Sequence, residues 1–114
     1  MSTIDDVRTF WDARPCNIRH SNHPAGTVEF FDEVDRRREL VEPHNSRFAD
    51  YERWANLRVL EVGCGIGTDL ARFAAAGADV TAVDLSPYSC DLARRRLQLV
   101  GLKGRVVVGD AEHL

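Results

Sequence analysis

The sequence predicts a parallel α/β sheet of the doubly wound kind, its first three strands connected βαβαβ and preceded by helices. Three observations predict it. Short apolar runs stand at residues 57–62, 79–84 and 105–108, about 25 residues apart. Helical periodicity fills both intervals between them. Glycines or acids follow or close each run, and that is the edge of such a sheet where ligands bind.

Composition sets the frame for this reading. The chain has 114 residues, 44% of them hydrophobic and 29% charged, with a formal net charge of −3. That length suits one domain, and the composition suits a folded, water-soluble chain. The acidic balance weighs against nucleic acid as a partner, since phosphate contacts want a basic surface. No apolar run approaches the roughly 18 residues of a membrane span. The opening Met-Ser-Thr-Ile-Asp-Asp-Val carries acids where a secretory signal carries bases. Three unpaired-looking cysteines, Cys16, Cys64 and Cys90, fit a reducing compartment. A cytoplasmic location is the expectation.

The elements follow in order. Ser2 or Thr3 caps a first short helix with Ile4, Val7 and Phe10 or Trp11 on one face. Residues 13–26 carry two prolines, a glycine and two asparagines, and read as a loop. Within that loop the Cys16-x-x-x-His20-x-x-His23 spacing has no second ligand pair nearby, so no metal site is expected. Thr27 caps a second helix to about Leu40, burying Phe30, Phe31 and Val34. Pro43 breaks it, and a third helix runs past Phe48 and Tyr51 toward Trp54. The triplet Arg36, Arg37, Arg38 is expected on a solvated face.

A first strand at residues 57–62 leads into Gly63-Cys64-Gly65-Ile66-Gly67. The next helix contains Leu70, Phe73 and Ala74, and Gly77 stops it. A second strand ends at Asp84; Ser86 then caps a helix with Pro87 in its first position. Cys90, Ala93, Leu97 and Val100 are its expected buried stripe, which sends Arg94, Arg95 and Arg96 mostly to solvent. A third strand at 105–108 precedes Gly109, Asp110, Ala111 and Glu112.

The glycine loop points to a nucleotide-like ligand, because glycine lets backbone approach the ligand and exposes amides at a helix start. Spacing narrows the choice. A dinucleotide fingerprint counted from Gly63 needs glycine where Thr68 stands, and no Gly-Lys-Ser/Thr triplet supports a phosphate loop. What stands here is Glu61-x-Gly63-x-Gly65-x-Gly67, with Asp84 and Asp110 at the following strand ends. Ribose hydroxyls and amino groups are donors, and carboxylates are acceptors that suit them.

The segment LEVGCGIGTDLARFAAAGADVTAVDLS resembles the first cofactor motif of class I S-adenosylmethionine-dependent methyltransferases of the small-molecule type. The similarity covers about residues 57–114, and FWDARPCN at residues 10–17 also looks like their lead-in. The resemblance implies a Rossmann-like sheet of seven strands, of which three are legible here. It implies S-adenosylmethionine as cofactor and a small-molecule methyl acceptor. Residues 1–54 would form a helical cap or lid segment, and residues 55–114 the cofactor-binding half-domain. It gives Gly63, Gly65 and Gly67 the loop under the methionine and ribose, with backbone contacts from Cys64 and Ile66. Glu61 would steady that loop and face the cofactor's ammonium, and Asp84 would accept from both ribose hydroxyls. Leu85 would lie on the adenine, with Asp110 and the Ala111 amide at its edge.

Two other readings stay open on the residues: a binding module without turnover, and a nicotinamide-dependent oxidoreductase, which Thr68 disfavours. No general base is identified; His20, His23 and His44 read as structural or exposed, and Trp11 as either core or cofactor lid. In the resembled family the first strand is central. A chain stopping after the third would be a fragment or truncated product, and would leave residues 57–62 with an unpaired edge. Such an edge invites a homodimer or a strand swap.

Overall fold

The computed structural model describes residues 3–13, 18 and 21–113. Cys16 and His20 of the weighed metal spacing, and Ser2 as a cap, lie outside them, as do residues 14–17 of the FWDARPCN segment. Helices α1 (Ile4–Ala13), α2 (Val28–Val41) and α3 (Pro43–Ala49) come first, then a 3-10 turn at Tyr51–Trp54. The rest alternates as β1 (Arg58–Val62), α4 (Thr68–Ala75), β2 (Asp79–Asp84), α5 (Pro87–Leu99) and β3 (Arg105–Val108), ending in a 3-10 turn at Ala111–His113. All three strands are parallel in the order β1-β2-β3.

Local chemistry accounts for the boundaries. Thr3 and Asp6 form a reciprocal capping box at α1, each side chain accepting the other's backbone N–H. Thr27 and Ser86 accept from Phe30 N and Ser89 N, opening α2 and α5. Gly77, at φ +98, turns the chain out of α4 toward β2. Asp50, left-handed at φ 47, splits the expected third helix into α3 and the turn after it.

The main core lies between the sheet and its two crossover helices. Leu70 and Ala71 of α4 and Cys90, Ala93 and Leu97 of α5 meet Val80, Ala82 and Val106. Alternation along the strands puts those strand residues on one face, so both helices cover the same side. The opposite face carries Leu60, Val62 and Val107, exposed by 56%, 55% and 45%. Among the described residues β1 pairs only with β2, so its outer edge is open.

A second cluster docks α2: Phe30, Phe31 and Val34 pack with Ile66 and Leu92. Arginine–carboxylate pairs surround it. Arg38 forks onto Asp69 at 2.8 and 3.0 Å, Arg72 pairs with Glu39, and Arg96 pairs with Asp35. The Arg96 guanidinium also lies 5.0 Å from the Phe31 ring centroid and 3.4 Å from Thr68 Oγ1.

Three sequence expectations change here. Arg96 is buried, at 5% exposure, while Arg94 and Arg95 are exposed. Helix α5 has two buried stripes, one against the sheet and one against α2, and Arg96 belongs to the second. Similarly, Arg36 and Arg37 are solvated, but the Arg38 side chain keeps only 12% of its surface exposed. Val100 is 56% exposed, because α5 ends at Leu99 and the chain turns away at Gly101, φ 68. Arg96→Ala should destabilise the fold by about 2–3 kcal/mol, since Asp35 is left half-buried and unpaired and the stem's packing on Phe31 is lost. Arg96→Met, which keeps the packing, should cost less. Urea denaturation midpoints at unchanged m-value measure both.

Candidate functional site

The carboxyl ends of three parallel strands come level because the register pairs Val62 with Val83 and Asp84 with Val108. Everything that follows those ends therefore gathers at one edge. After β1 the chain turns through Gly63, Gly65 and Gly67, all left-handed at φ 77, 54 and 87. L side chains rarely adopt that conformation. Gly63 and Gly67 differ in their surroundings. A Cβ on Gly63 would meet nothing within 4 Å, so that position borders open space. A Cβ on Gly67 would sit 3.1 Å from Ala93 Cβ and 3.2 Å from Ala93 Cα. Gly67 is there for the approach of α4 to α5.

Asp84 closes β2 and fixes both flanking loops. Its Oδ2 accepts Gly65 N–H at 2.9 Å, and its Oδ1 accepts Ser86 N–H at 2.9 Å. Each carboxylate oxygen keeps a further lone pair. Beyond β3, Asp110 accepts Glu112 N–H at 2.9 Å and faces His113 Nδ1 at 3.0 Å. The Glu112 amide and the His113 ring hold the Asp110 carboxyl below its ordinary range.

Two cavities meet at the glycine loop, and among the described residues only Gly63 and Gly65 line both. The larger, about 480 Å³, has Val62, Val83, Asp84, Leu85, Asp110 and Ala111 on the sheet side. Ile4, Val7 and Trp11 of α1 form its opposite wall. The smaller, about 200 Å³, is polar: Glu61, Cys64 and Ile66 of the loop region face Arg38 and Glu42 of the α2 end and Asp69 of α4. The site residues expected from the sequence thus lie along this edge, apart from Gly67, which lines neither cavity. The sequence reading missed Arg38, Asp69, Ile4 and Val7. The period of Ile4, Val7 and Trp11 was visible, but not what it faces.

Electrostatics distinguishes Glu61 from Asp69 in the smaller cavity. Burial opposes the charge on Asp69, yet the Arg38 fork and the Tyr51 hydroxyl outweigh it and hold its carboxyl low. Arg38 is spent on that pair. Glu61 is pushed up to about 8, first by burial and then by the neighbouring Asp69 charge. Its Oε1 is buried without a hydrogen-bond partner among the described residues. Contact with the Cys90 sulfur and burial push the Cys64 thiol up, which makes it a poor nucleophile. Among the described residues no group of three or more histidine, cysteine or acidic side chains is placed to hold a metal ion. No helix is long and apolar enough to cross a membrane among the same residues.

Residues 59–114 match the sequence model of a family described as a methyltransferase domain. The chain is 47% identical over 55 residues to the magnesium-protoporphyrin O-methyltransferase of Rhodobacter capsulatus, covering 46% of this chain and 24% of that protein. It is 31% identical over 94 residues to the ubiquinone biosynthesis O-methyltransferase of Methylocella silvestris, covering 82% of this chain and 36% of that one. The chain therefore spans about a quarter to about a third of the length of these curated relatives. The crystal structure of magnesium protoporphyrin IX methyltransferase from Synechocystis PCC 6803 with bound SAM shares the fold, with a TM-score of 0.67 at 20% identity over 100% of this chain and 57% of that one.

The raised acid makes a prediction about stability. In the unfolded chain Glu61 ionises near 4.5; in the folded chain it does so near 8. Between those values the folded state holds a proton the unfolded state has released, so stability falls as pH rises, by at most about 1.4 kcal/mol per pH unit. The carboxylates held low titrate beneath this window. Glu61→Gln should remove the decline and be the more stable protein at pH 7.5. Chemical denaturation of both at pH 5.5 and 7.5 measures the difference.

Proposed function

We infer from its match to a methyltransferase-domain family, together with its resemblance to class I S-adenosylmethionine-dependent methyltransferases, that this chain binds S-adenosylmethionine and serves methyl transfer to a small-molecule acceptor. The observation that carries the reading is the pair of cavities joined over Gly63 and Gly65, one apolar with acids at its rim and one polar. A ligand with a nucleoside at one end and an amino acid at the other matches that division. The orphaned Glu61 Oε1 supports the fit, because a cationic ammonium supplies the partner that the protein withholds.

The residues then take these roles. Asp84 accepts from both ribose hydroxyls through the lone pairs its backbone partners leave free. Leu85 lies on one face of the adenine, and Asp110 and Ala111 read its edge. Gly63, Gly65 and the Cys64 backbone pass beneath the ribose and methionine, and Gly67 supports that loop through its contact with α5. Glu61 takes the ammonium in its ionised form. The bound cofactor supplies a methyl group on a sulfonium, with a neutral thioether as leaving group. The chain's own contribution is orientation and exclusion of water under α1, since a displacement of this kind depends on alignment. Both curated relatives are named as O-methyltransferases, which favours an oxygen acceptor. Buried free thiols at Cys64 and Cys90 favour a reducing, cytoplasmic setting.

Calorimetry with S-adenosylhomocysteine should give a one-to-one complex, and NADH should give none. Asp84→Ala should weaken the complex about 30-fold or more, the loss of two hydrogen bonds to a charged acceptor. Binding of NADH alone, or an unchanged affinity in the variant, would sink the reading. We propose further that the open β1 edge, beside Leu60 and Val62, pairs with a second copy of the chain. Light scattering should report a dimer; a stable monomer contradicts it.

A further inference from the structure

Helix α1 lies over the site without a fully buried residue of its own. It nevertheless forms a whole wall of the larger cavity. Its sequence separates two tasks by spacing. Ile4, Val7 and Trp11, three and four apart, face the cavity. Arg8 and Asp12, four apart, form a neighbouring stripe that holds the helix down. Arg8 Nε donates to Leu85 O at 3.1 Å, reaching the residue that forms the cavity's floor. Asp12 Oδ1 accepts twice at 2.8 Å, from Ser86 Oγ–H and from Tyr88 N–H.

The second anchor falls at a demanding place. A helix start leaves backbone donors without partners. In α5 the first position is Pro87, which has no N–H, and Ser89 N–H goes to Ser86 Oγ. Tyr88 N–H is left over, and Asp12 satisfies it from 76 residues away. The carboxylate also sits at the positive end of the α5 dipole. Those contacts hold the Asp12 carboxyl below its ordinary range, the Tyr88 amide first and the Ser86 hydroxyl second. So Asp12 completes a cap on α5 and, by doing so, fastens α1 over the cavity.

We propose that Asp12 is a positioning residue, a latch that fastens α1 across the nucleoside cleft and thereby sets how long a ligand stays bound there. The proposal rests on the cofactor reading given above. A nucleoside beneath Ile4, Val7 and Trp11 leaves by that side once α1 lifts. Among the described residues, lifting it breaks the hydrogen bonds that Asp12 and Arg8 make outside the helix, and no side chain of α1 is fully buried.

Stopped-flow fluorescence of Trp11, in the cleft, with S-adenosylhomocysteine as ligand reads the dissociation rate directly. Hydrogen exchange of residues 4–13 in the ligand-free chain reads the latch alone. Asp12→Ala should release the ligand about tenfold faster or more, with a smaller change in association. Residues 4–13 should exchange faster, while β1, β2 and β3 keep their protection. Asp12→Asn, whose side-chain carbonyl still accepts, should lie between. Arg8→Ala loosens the other anchor without touching the α5 cap, and should also speed release. Faster release in Asp12→Ala with no change in Arg8→Ala would trace the effect to the α5 cap and overturn the proposal. Unchanged release and exchange in Asp12→Ala would overturn it as well. If the unaltered chain failed to bind S-adenosylhomocysteine, the cofactor reading would fall first, whatever the exchange of α1 showed.

Discussion

The carboxylate of Asp84 has one backbone amide on each oxygen, and the geometry of the whole edge depends on that arrangement. Gly65 N–H belongs to the loop after β1, and Ser86 N–H to the loop after β2. Strand pairing alone sets the two strand ends level; it does not say where their loops go. The shared acceptor does, since it draws both loops to one point and orients the acid between them. Ser86 then passes the connection on, through its hydroxyl to Asp12 and so to α1. Three segments distant in sequence, the loop after β1, the β2–α5 junction and α1, are joined by one chain of polar contacts.

Helix α2 is held by a different balance. Phe30, Phe31 and Val34 give it an apolar seat, and three arginine–carboxylate pairs surround that seat. Partly buried pairs of this kind add less stability than their number suggests, because desolvation offsets much of the attraction. Their effect on the site is sharper than their effect on stability. By committing Arg38 to Asp69 in a two-point fork, the fold satisfies one acid of the smaller cavity and leaves Oε1 of its neighbour Glu61 without a partner among the described residues. A glutamate that is buried, unpaired and beside a negative charge stays protonated near neutrality. Such a group is costly in the empty fold and useful only to a cationic ligand.

The elements of this fold were legible because their signals are local. Ser86 followed by Pro87, Gly77 after the α4 stripe, and the β-branched run ending at Asp84 each mark a boundary by the chemistry of one or two residues. Hence β2 and β3 fall where the sequence puts them. The glycine spacing with its flanking acids was legible for the same reason. Misplaced residues are those whose surroundings depend on a second helix. Arg96 and Arg38 look like solvated charges until α2 is docked, and nothing in a triplet of arginines says which one turns inward. Val100 continues a buried period that the left-handed Gly101 ends one residue too early. The α1 stripes were visible as periodicity, but a partner 76 residues away is not.

Orientation of the ligand follows from the contrast between the two cavities. Leu85 and the α1 wall offer apolar surface on one side of the loop, and Glu61 with the Arg38–Asp69 pair offers charge on the other. Gly63 and Gly65 are the shared lining, so a ligand that spans both passes over them. A Cβ on Gly63 would meet no protein atom, which means it would project into that passage. The glycine is therefore constrained twice, by its left-handed backbone and by the space beside it. The reactive centre of the proposed cofactor lies between its nucleoside and its amino acid, so it belongs near these two glycines. Val62, half-exposed at the start of the turn, carries the sheet's uncovered face up to the same point. On the proposed reading, the bare side of the sheet and the reactive centre are neighbours, so whatever covers that side would also shape where an acceptor approaches.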